Sequence, residues 1–357
     1  MRFAFTEEQD MLRDMIRGAL QREVAADKVR RWSDAADPTP FDTIATSCGW
    51  VSLGVAEDLG GQGGGIVEQA LLFEELGRCA APSGSLLATL AGVLGFAAAG
   101  NCLAPLAPVI SGEQIGVLIV SAGSPADQGV DTVRQNQGKL TGVVPMVAAA
   151  PGAQLMLVPL ADNEGLELWL VAAPAEGLRV TPRHLIDRTR QFGDVIFDST
   201  PATLVGRLDK VAATEANARL ALLLAAESLG LARRMLAMTV EYVSQRVQFG
   251  VPVGSFQAVK HAAAEAFVDI EAAHSGVYYA AWALQEGEPD GVITAWIAKA
   301  FATEAAVRTA DRALLLHGAI GYTWEHELQI YYKRAKLNLE LFGSPKRYRE
   351  RIARALL

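Results

Sequence analysis

Apolar residues recur at helical spacing through the first third of the chain. The segments FTEEQDMLRDMIRGALQREV and IVEQALLFEELGRCA both show this period, and Gly77 lies near the end of the second. Spacings of three and four residues are typical of an amphipathic helix, and a glycine is common where a helix ends. The glycine-rich run SLGVAEDLGGQGGG between them predicts a loop. These patterns together predict a helical domain over residues 1–115.

The pattern of apolar positions changes near residue 116. Short apolar or alternating runs follow, including GVLIVSAG, QLMLVPLAD and LELWLVAAP, with turn residues such as Ser124-Pro125 between them. Runs of this length and spacing are typical of an antiparallel sheet. Helices do not alternate with these strands, which excludes the βαβ order of a Rossmann domain. We therefore predict an antiparallel β domain over residues 116–205.

Helical spacing returns in the last part of the chain. The segment ATEANARLALLLAAESLGLARRMLAMTVEYVSQRVQ contains no proline, and Gly250 and Pro252 are expected to end its helix. Two more long helices and a last one, TWEHELQIYYKRAKLNLEL, are predicted after it, with the charges of WEHE and YKRAK on a solvated face. Four long helices with short connections predict an antiparallel four-helix bundle over residues 206–357. The predicted fold class is therefore α+β, with three domains in this order.

Composition and charge narrow the possible functions. The 357 residues carry a formal net charge of −8 without a cluster of lysines or arginines, which argues against a nucleic-acid partner. The three cysteines form no Cys-x-x-Cys pair, and the first residues lack the order of a signal peptide. His261, His274 and His326 lack metal-ligand spacing, so no metal site is expected. We expect a cytoplasmic protein.

The uncharged stretch over residues 79–112 is the one segment long enough to suggest a membrane span. Serine, glycine, proline and asparagine interrupt it, and it lacks flanking aromatic or basic anchors. We therefore predict a buried helix and no membrane span.

Several motifs resemble those of the acyl-CoA dehydrogenase family. GWVSLGVAEDLGGQGGGIVEQALLFEELGR is similar to the family's loop and following helix, and QRVQFGVPVGSFQAVKH is the most specific match. LHGAIGYTWEHELQIYYKRAK resembles its glycine-rich turn and closing helix. The resemblance covers nearly the whole chain and is weakest in the predicted β domain. It implies FAD as the cofactor and an acyl-CoA thioester as the substrate.

The family's dinucleotide-binding positions fall on four residues of this chain. The resemblance implies that Arg246 contacts the flavin dinucleotide of a neighbouring subunit, that Phe249 packs by its adenine, and that Gln257 lies beside them. A guanidinium can bind a pyrophosphate with two hydrogen bonds. The alternative for Arg246 is a solvated arginine at a helix C-terminus. Gly318 begins the glycine-rich turn and is the fourth candidate, although Leu315 and Ala319 replace the family's glutamine and second glycine.

At the positions that hold the flavin ring in the family, this chain departs from the family's pattern. The family's Thr-Glu-Pro…Gly-Ser-Asp stretch corresponds to SAGSPADQGV, which keeps only Gly123-Ser124. Val147 and Ala148 stand near the family's Trp-x-Ser/Thr position, and neither side chain can form a hydrogen bond. The resemblance therefore implies a weakened flavin cradle in this chain.

The catalytic base expected from the resemblance is also missing. Aligning KRAK with the family's closing helix puts Phe342 at the glutamate that removes the α-proton. The alternative base position, on the first long bundle helix, lies close to Leu220. Glu340 is a weak candidate for the base; the alternative is a surface glutamate beside Lys336. Glu227, in the apolar run AAESLG, is a candidate for burial and is expected to pair with another helix or subunit.

The sequence leaves three functional hypotheses. In the first, the chain resembles the shortened subunits of actinobacterial hetero-oligomeric acyl-CoA dehydrogenases and shares FAD with a fuller homologous subunit. In the second, it is a self-sufficient acyl-CoA dehydrogenase with an unrecognised base. In both, electrons pass to an electron-transfer flavoprotein. In the third, it is a non-catalytic assembly subunit that kept the fold. The acyl group and the choice between homo- and hetero-oligomer stay open.

Overall fold

The computed structural model describes residues 4–357. The described N-terminal part is helical, as predicted. Its helices are α1 (Glu7–Glu23), α2 (Ala26–Ala35), α3 (Thr39–Ser47), α4 (Ile66–Arg78), α5 (Gly84–Leu87), a π-helix (Ala88–Leu94), α6 (Gly95–Ala99) and α7 (Ala107–Ile110).

Helix α1 begins where the sequence supplies a capping box. The Thr6 hydroxyl accepts a hydrogen bond from the Gln9 amide, and the Gln9 side chain accepts one from the Thr6 amide. These two bonds satisfy amides that a helix start leaves without partners. Ile16 and Leu20 are the buried residues of α1, and α1 packs on α4.

The uncharged stretch 79–112 folds into short helices in the protein interior. Its π-helix is buried at every position, and the Thr89 hydroxyl donates to the Gly116 carbonyl oxygen at 2.8 Å. Among residues 4–357, no helix is long and apolar enough to cross a membrane. The predicted burial is confirmed for residues 80–97, of which only Gly95 is partly exposed, whereas the rest of the stretch is in part exposed.

The middle of the chain forms two four-stranded sheets. The strands are β1 (Gly116–Leu118), β2 (Val133–Asn136), β3 (Lys139–Ala148), β4 (Leu155–Ala161), β5 (Gly165–Ala172), β6 (Leu178–Arg183), β7 (Phe192–Pro201) and β8 (Thr203–Asp209). One sheet has the order β1-β4-β5-β8 and the other β2-β3-β7-β6. The prediction of an antiparallel domain fails for one pair, because β1 lies parallel to β4. Between β1 and β4 the chain forms β2 and β3 of the other sheet, and it then returns so that β4 runs in the same direction as β1.

The last part of the chain is a helical bundle built around a 36-residue helix. Its elements are α8 (Lys210–Gln245), β9 (Val247–Gln248), β10 (Val251–Pro252), α9 (Gln257–Glu286), α10 (Gly291–His317), a 3₁₀ turn (Gly318–Tyr322), α11 (Leu328–Glu340) and α12 (Pro345–Leu356). The predicted last helix is observed as α11, and a further helix that the sequence pattern did not predict, α12, follows it after a break. The break is a turn in which Phe342 and Gly343 have φ of 57° and 109°, after which Pro345 starts α12.

Helix α8 ends earlier than predicted. Its last residue is Gln245, and the chain then forms a short hairpin from β9 and β10. The two residues between these strands, Phe249 and Gly250, have φ of 54° and 80°. Two consecutive positive φ angles are what a tight type I′ hairpin turn requires. Gly250 therefore turns the hairpin and does not end the helix.

A buried charge cluster joins the three parts of the chain. Glu227 on α8 accepts hydrogen bonds from Ser83 at 2.7 Å, Arg190 at 2.5 Å and Arg334 at 2.8 Å. Burial alone would raise the pKa of Glu227, but the Arg190 and Arg334 guanidinium groups lower it to about 2. Ser83 follows α4, Arg190 precedes β7, and Arg334 belongs to α11. The expected burial and pairing of Glu227 are observed.

Candidate functional site

Arg246 lies directly after α8, at the start of the exposed hairpin. Its amide donates to the Tyr242 carbonyl oxygen at 2.9 Å, and its own carbonyl oxygen accepts from the Val253 amide at 2.7 Å. These two bonds fix the backbone at the helix end. Within residues 4–357 the exposed Arg246 side chain has no hydrogen bond or ion pair, so its guanidinium is available to an anion.

Phe249 and Gln257 lie on the same hairpin and the helix that follows it. Phe249 is 93% exposed, and its ring stands edge-on to Phe256 with 6.3 Å between ring centroids. Gln257 is the first residue of α9 and is exposed. Phe249 and the 40% exposed Phe256 form an apolar patch, and exposed apolar patches mark surfaces that bind a ligand or another protein.

Gly318 lies at the same end of the bundle. It follows the last residue of α10, His317, whose ring stacks on Tyr242 of α8 with centroids 4.6 Å apart. Gly318 has a φ of 63°, and a Cβ there would meet open space. Arg246, Phe249, Gln257 and Gly318 therefore lie together around the hairpin end of the bundle, by which we mean residues 242–257 and 317–322.

The loop that would hold a flavin ring uses its polar groups within the chain. The Ala126 amide donates to the Asn217 side chain at 2.9 Å, and the Ala122 carbonyl oxygen accepts from the Phe342 amide at 2.6 Å. Val147 and Ala148, on β3, are buried apolar residues. Val147 and Ala148 offer a flavin ring no side-chain hydrogen bond, whereas the unpaired Arg246 guanidinium at the hairpin end offers donors that suit an anionic group such as a pyrophosphate.

The turn at the expected base position, residues 341–344, is largely buried and is held by hydrogen bonds. We call it the closed turn. Phe342 is only 4% exposed, and its carbonyl oxygen accepts from the Tyr348 hydroxyl at 2.9 Å. Lys299 of α10 donates to the carbonyl oxygens of Asn338 at 3.0 Å and Gly343 at 3.3 Å. A phenylalanine ring cannot take a proton, and the bond from the Phe342 amide to the Ala122 carbonyl oxygen ties the turn to the β domain.

Leu220 and Glu340 are the two other candidate positions for the catalytic base. Leu220 is fully buried and apolar. Glu340, the last residue of α11, is exposed, and its side chain has no hydrogen bond or ion pair among the described residues. Lys336 pairs with Asp311 at 2.9 Å and not with Glu340.

Three buried cations, Arg190, Lys299 and Arg334, escaped the sequence prediction. The prediction of a solvated YKRAK face is wrong for Arg334, which is fully buried and donates to Asp187 and Glu227 at 2.8 Å each. Lys299 is also fully buried, and burial lowers its pKa to about 7. The signal for Lys299 was present, because it stands alone in the uncharged run AWIAKAFAT.

Sequence profiles of two family domains match this chain: the acyl-CoA dehydrogenase N-terminal domain over residues 6–102 and the C-terminal domain over residues 211–357. The acyl-CoA dehydrogenase IpdE2 of Mycolicibacterium smegmatis is 30% identical over 355 residues, which cover 97% of this chain and 98% of that protein. The chain belongs to the acyl-CoA dehydrogenase family. IpdE2 of Mycobacterium tuberculosis is 33% identical over 349 residues, covering 97% of this chain and 96% of that protein.

Solved structures of acyl-CoA dehydrogenases share the fold. The ChsE4-ChsE5 complex from Mycobacterium tuberculosis contains a chain with a TM-score of 0.87 and 26% identity, covering 100% of this chain and 99% of that one. Acyl-CoA dehydrogenases are flavin-dependent oxidoreductases that dehydrogenate acyl-CoA thioesters. The predicted family, fold class and reaction type are thus confirmed.

Proposed function

We propose that this chain is one subunit of a hetero-oligomeric acyl-CoA dehydrogenase in which FAD lies across a subunit interface. In this proposal Arg246, Phe249, Gln257 and Gly318 bind the dinucleotide, and a homologous subunit surrounds the flavin ring. One contrast carries the proposal. The hairpin end is exposed and its Arg246 side chain is unpaired in the described structure, whereas the closed turn is buried and apolar.

The chemistry of the family assigns different tasks to the two subunits. The reaction removes the α-proton and transfers the β-hydride, and the flavin supplies the hydride acceptor. Phe342 and Leu220 cannot accept the proton, so the base belongs to the partner. The Arg246 guanidinium can neutralise the pyrophosphate, and the exposed Phe249 ring can cover the adenine.

Two further parts of the proposal concern partners and location. ChsE4 and ChsE5 of Mycobacterium tuberculosis form a complex, and the matching chain of that complex has this fold over its whole length. A comparable pairing would cover the exposed aromatic residues of the hairpin end. We further propose an electron-transfer flavoprotein as the electron acceptor and a cytoplasmic location.

Co-expression tests the proposal against the two other hypotheses. The chain is produced alone and together with a homologous acyl-CoA dehydrogenase subunit that keeps the family's catalytic glutamate, and flavin absorbance and acyl-CoA-dependent dye reduction are measured. We expect flavin and activity only in the co-expressed sample. A yellow, active protein from this chain alone would favour the self-sufficient enzyme, with Glu340→Gln testing its base. Flavin in neither sample would favour a non-catalytic assembly subunit.

Arg246→Ala tests the dinucleotide contact in the assembly. Loss of a hydrogen bond to a charged group costs about 1.5–3 kcal/mol, which corresponds to FAD binding weaker by roughly ten- to a hundredfold. The matched control is Arg134→Ala, which removes an exposed arginine from β2. Bound FAD after gel filtration measures the effect. Equal FAD content in both variants would reject the role of Arg246.

A further inference from the structure

A cavity of about 900 Å³ lies between the start of α1 and the last turns of α9. Residues 4–9 contribute one wall, α9 contributes the other between residues 274 and 286, and Val67 of α4 also lines it. Pockets for small organic ligands span about 300–1,000 Å³. The cavity is therefore large enough for such a ligand, and its lining shares no residue with the hairpin end or the closed turn.

Three aromatic side chains and one imidazole ring line this cavity. The Phe5 and Tyr278 rings meet edge to face with 4.7 Å between centroids, and the His274 and Tyr278 rings do so at 4.9 Å. Trp282 is the third aromatic residue and lies one turn after Tyr278 on α9. The faces of aromatic rings attract cations, and groups of aromatic side chains bind methylated ammonium ions.

The polar atoms of these rings differ in what they contact. The Tyr278 hydroxyl donates to the Glu74 carboxylate at 2.5 Å, and Arg233 pairs with the same carboxylate at 3.0 Å. Nδ1 of His274 is buried and has no hydrogen-bond partner among the described residues. Burial, and then the nearby Arg233, lower the pKa of His274, so its ring is neutral at pH 7. His274 therefore adds an unsatisfied polar atom and no positive charge to the lining.

The charged residues of the lining are both acidic. Glu7 and Glu286 are exposed, and neither carboxylate has a hydrogen bond or ion pair among the described residues. Glu7 offsets the positive end of α1, whereas Glu286 is the last residue of α9 and adds to the negative end of that helix. Arg13 lies over the Phe5 ring at 4.2 Å from its centroid, and Asp10 pairs with Arg13 at 3.3 Å. The lining is therefore negative, and a cleft with charge of one sign concentrates ligands of the opposite sign.

The first turn of α4 holds the two walls of the cavity in place. The Gln9 side chain on one wall donates to the Glu68 carboxylate at 2.7 Å, and the Gln285 side chain on the other accepts from the Val67 amide at 3.3 Å. A Cβ on Gly65 would lie 2.3 Å from the Gln285 oxygen, so glycine permits this close approach. A preformed cavity favours binding, because the protein loses little conformational freedom when the ligand enters.

We propose that this cavity binds a free, small organic cation whose ammonium group carries alkyl substituents. The substituents pack on the aromatic rings, Glu7 and Glu286 balance the positive charge, and a hydroxyl or carbonyl group of the ligand can meet Nδ1 of His274. A primary ammonium suits this lining less well, because it carries three hydrogen-bond donors and is strongly hydrated. This binding does not rest on the proposed function, because none of its residues belongs to the dinucleotide site or to the expected base positions.

Two ligands of the same shape test the charge. Isothermal titration calorimetry of the full chain compares choline with 3,3-dimethyl-1-butanol, in which a carbon atom replaces the quaternary nitrogen. We expect choline to bind at least about tenfold more tightly, a difference of about 1.4 kcal/mol. Equal affinities, or no binding of choline, would overturn the proposal. Phosphatidylcholine vesicles present the same head group on a lipid surface, and the chain should not sediment with them. Sedimentation with the vesicles would assign the cavity to a lipid and overturn the proposal of a free ligand.

Variants locate the binding. Trp282→Leu removes an aromatic ring from the wall, and Ser275→Lys places a positive charge at an exposed lining position. We expect choline to bind about threefold more weakly to Trp282→Leu and at least about tenfold more weakly to Ser275→Lys. The matched controls are Trp324→Leu and Ala264→Lys, which change an exposed tryptophan and an exposed position of α9 outside the cavity and keep full affinity. Unchanged choline binding in Ser275→Lys would place the cation elsewhere and overturn the proposal. The flavin content of the co-expressed assembly is a separate readout, so each proposal can fail alone.

Discussion

Arg334 shows how the helical period decides whether a charge is solvated. It shares a buried face of α11 with Tyr331 and Asn338, three residues before it and four after, while Lys336 points outward to Asp311. The sequence KRAK alone suggests a basic surface, but its position in the helical period separates one buried cation from its exposed neighbours. Counting from the apolar residues of α11 would have predicted Arg334 as buried.

Lys299 gives a prediction with a definite sign. Its pKa in the folded chain is lowered by burial from 10.5 to about 7, so between these values the unfolded chain binds more protons. The free energy of unfolding should therefore rise as the pH increases from 7 toward 10. Urea titrations across this range measure the slope for the native chain and for Lys299→Met, which should lack this contribution.

The control for Lys299 is Lys346→Met, which removes an exposed lysine from α12. This variant should keep the rise in stability. If Lys299→Met shows the same slope as the native chain, the lysine is not neutralised by burial.

At the scale of elements, the same dipeptide forms two turns with opposite surroundings. Phe249-Gly250 and Phe342-Gly343 both have positive φ at each residue, yet Phe249 is 93% exposed and Phe342 is 4% exposed. The local sequence is compatible with both backbones, because glycine follows phenylalanine each time. Exposure is decided by what packs against the turn, and for Phe342 this is the β-domain loop and Tyr348.

Restoring a carboxylate at the closed turn should not restore catalysis. Phe342→Glu places a charge in a buried, apolar position, which costs about 3 kcal/mol or more unless a partner compensates it. We expect a lower melting temperature and no acyl-CoA-dependent dye reduction by the chain alone. Phe342→Leu keeps the position apolar and is the control. Dye reduction by Phe342→Glu would show that the turn opens to substrate.

Elements with a strong hydrophobic period were predictable from the sequence, whereas the elements that pack or pair with them were not. The period of α1 and α4 and the proline-free run of α8 are local properties of the sequence. The parallel pairing of β1 with β4 joins residues about forty positions apart, for example Gly116 with Leu155, and three residues carry no signal of direction. The four dinucleotide-side candidates were located from motifs, but their common exposure at one end of the bundle depends on how three helices pack.

At the scale of the whole molecule, one buried cluster connects all three parts of the chain. Arg334 bonds Glu227 in the bundle, Asp187 in the segment before β7, and the Ala81 carbonyl oxygen after α4. Breaking a buried ion pair by removing one partner leaves the other charge uncompensated, whereas the intact pair satisfies both. We therefore expect the three parts to unfold together.

Glu227→Gln tests this coupling. Two buried guanidinium groups would lose their shared carboxylate, at a cost of about 3–5 kcal/mol. The folded pKa of Glu227 is about 2, below its ordinary 4.5, so its stabilisation is complete above pH 4.5 and is lost as the pH falls toward 2. Denaturation between pH 2 and 7 measures both effects. Glu241→Gln, on the exposed face of α8, should leave the pH profile unchanged. Retention of the acid-dependent loss in Glu227→Gln would assign it to other carboxylates.

The exposed hairpin has a thermodynamic consequence for the proposed assembly. If FAD touches Arg246 of this chain and the ring-binding residues of its partner, cofactor binding and subunit association are linked equilibria. If association of the subunits tightens FAD binding by a given factor, then FAD binding tightens association of the subunits by the same factor. Dilution would release the cofactor from the assembly, and excess FAD would hold the subunits together at concentrations where the apoprotein separates. The cofactor would thus act as a ligand-dependent bridge, and its cellular supply would set how much of the complex exists.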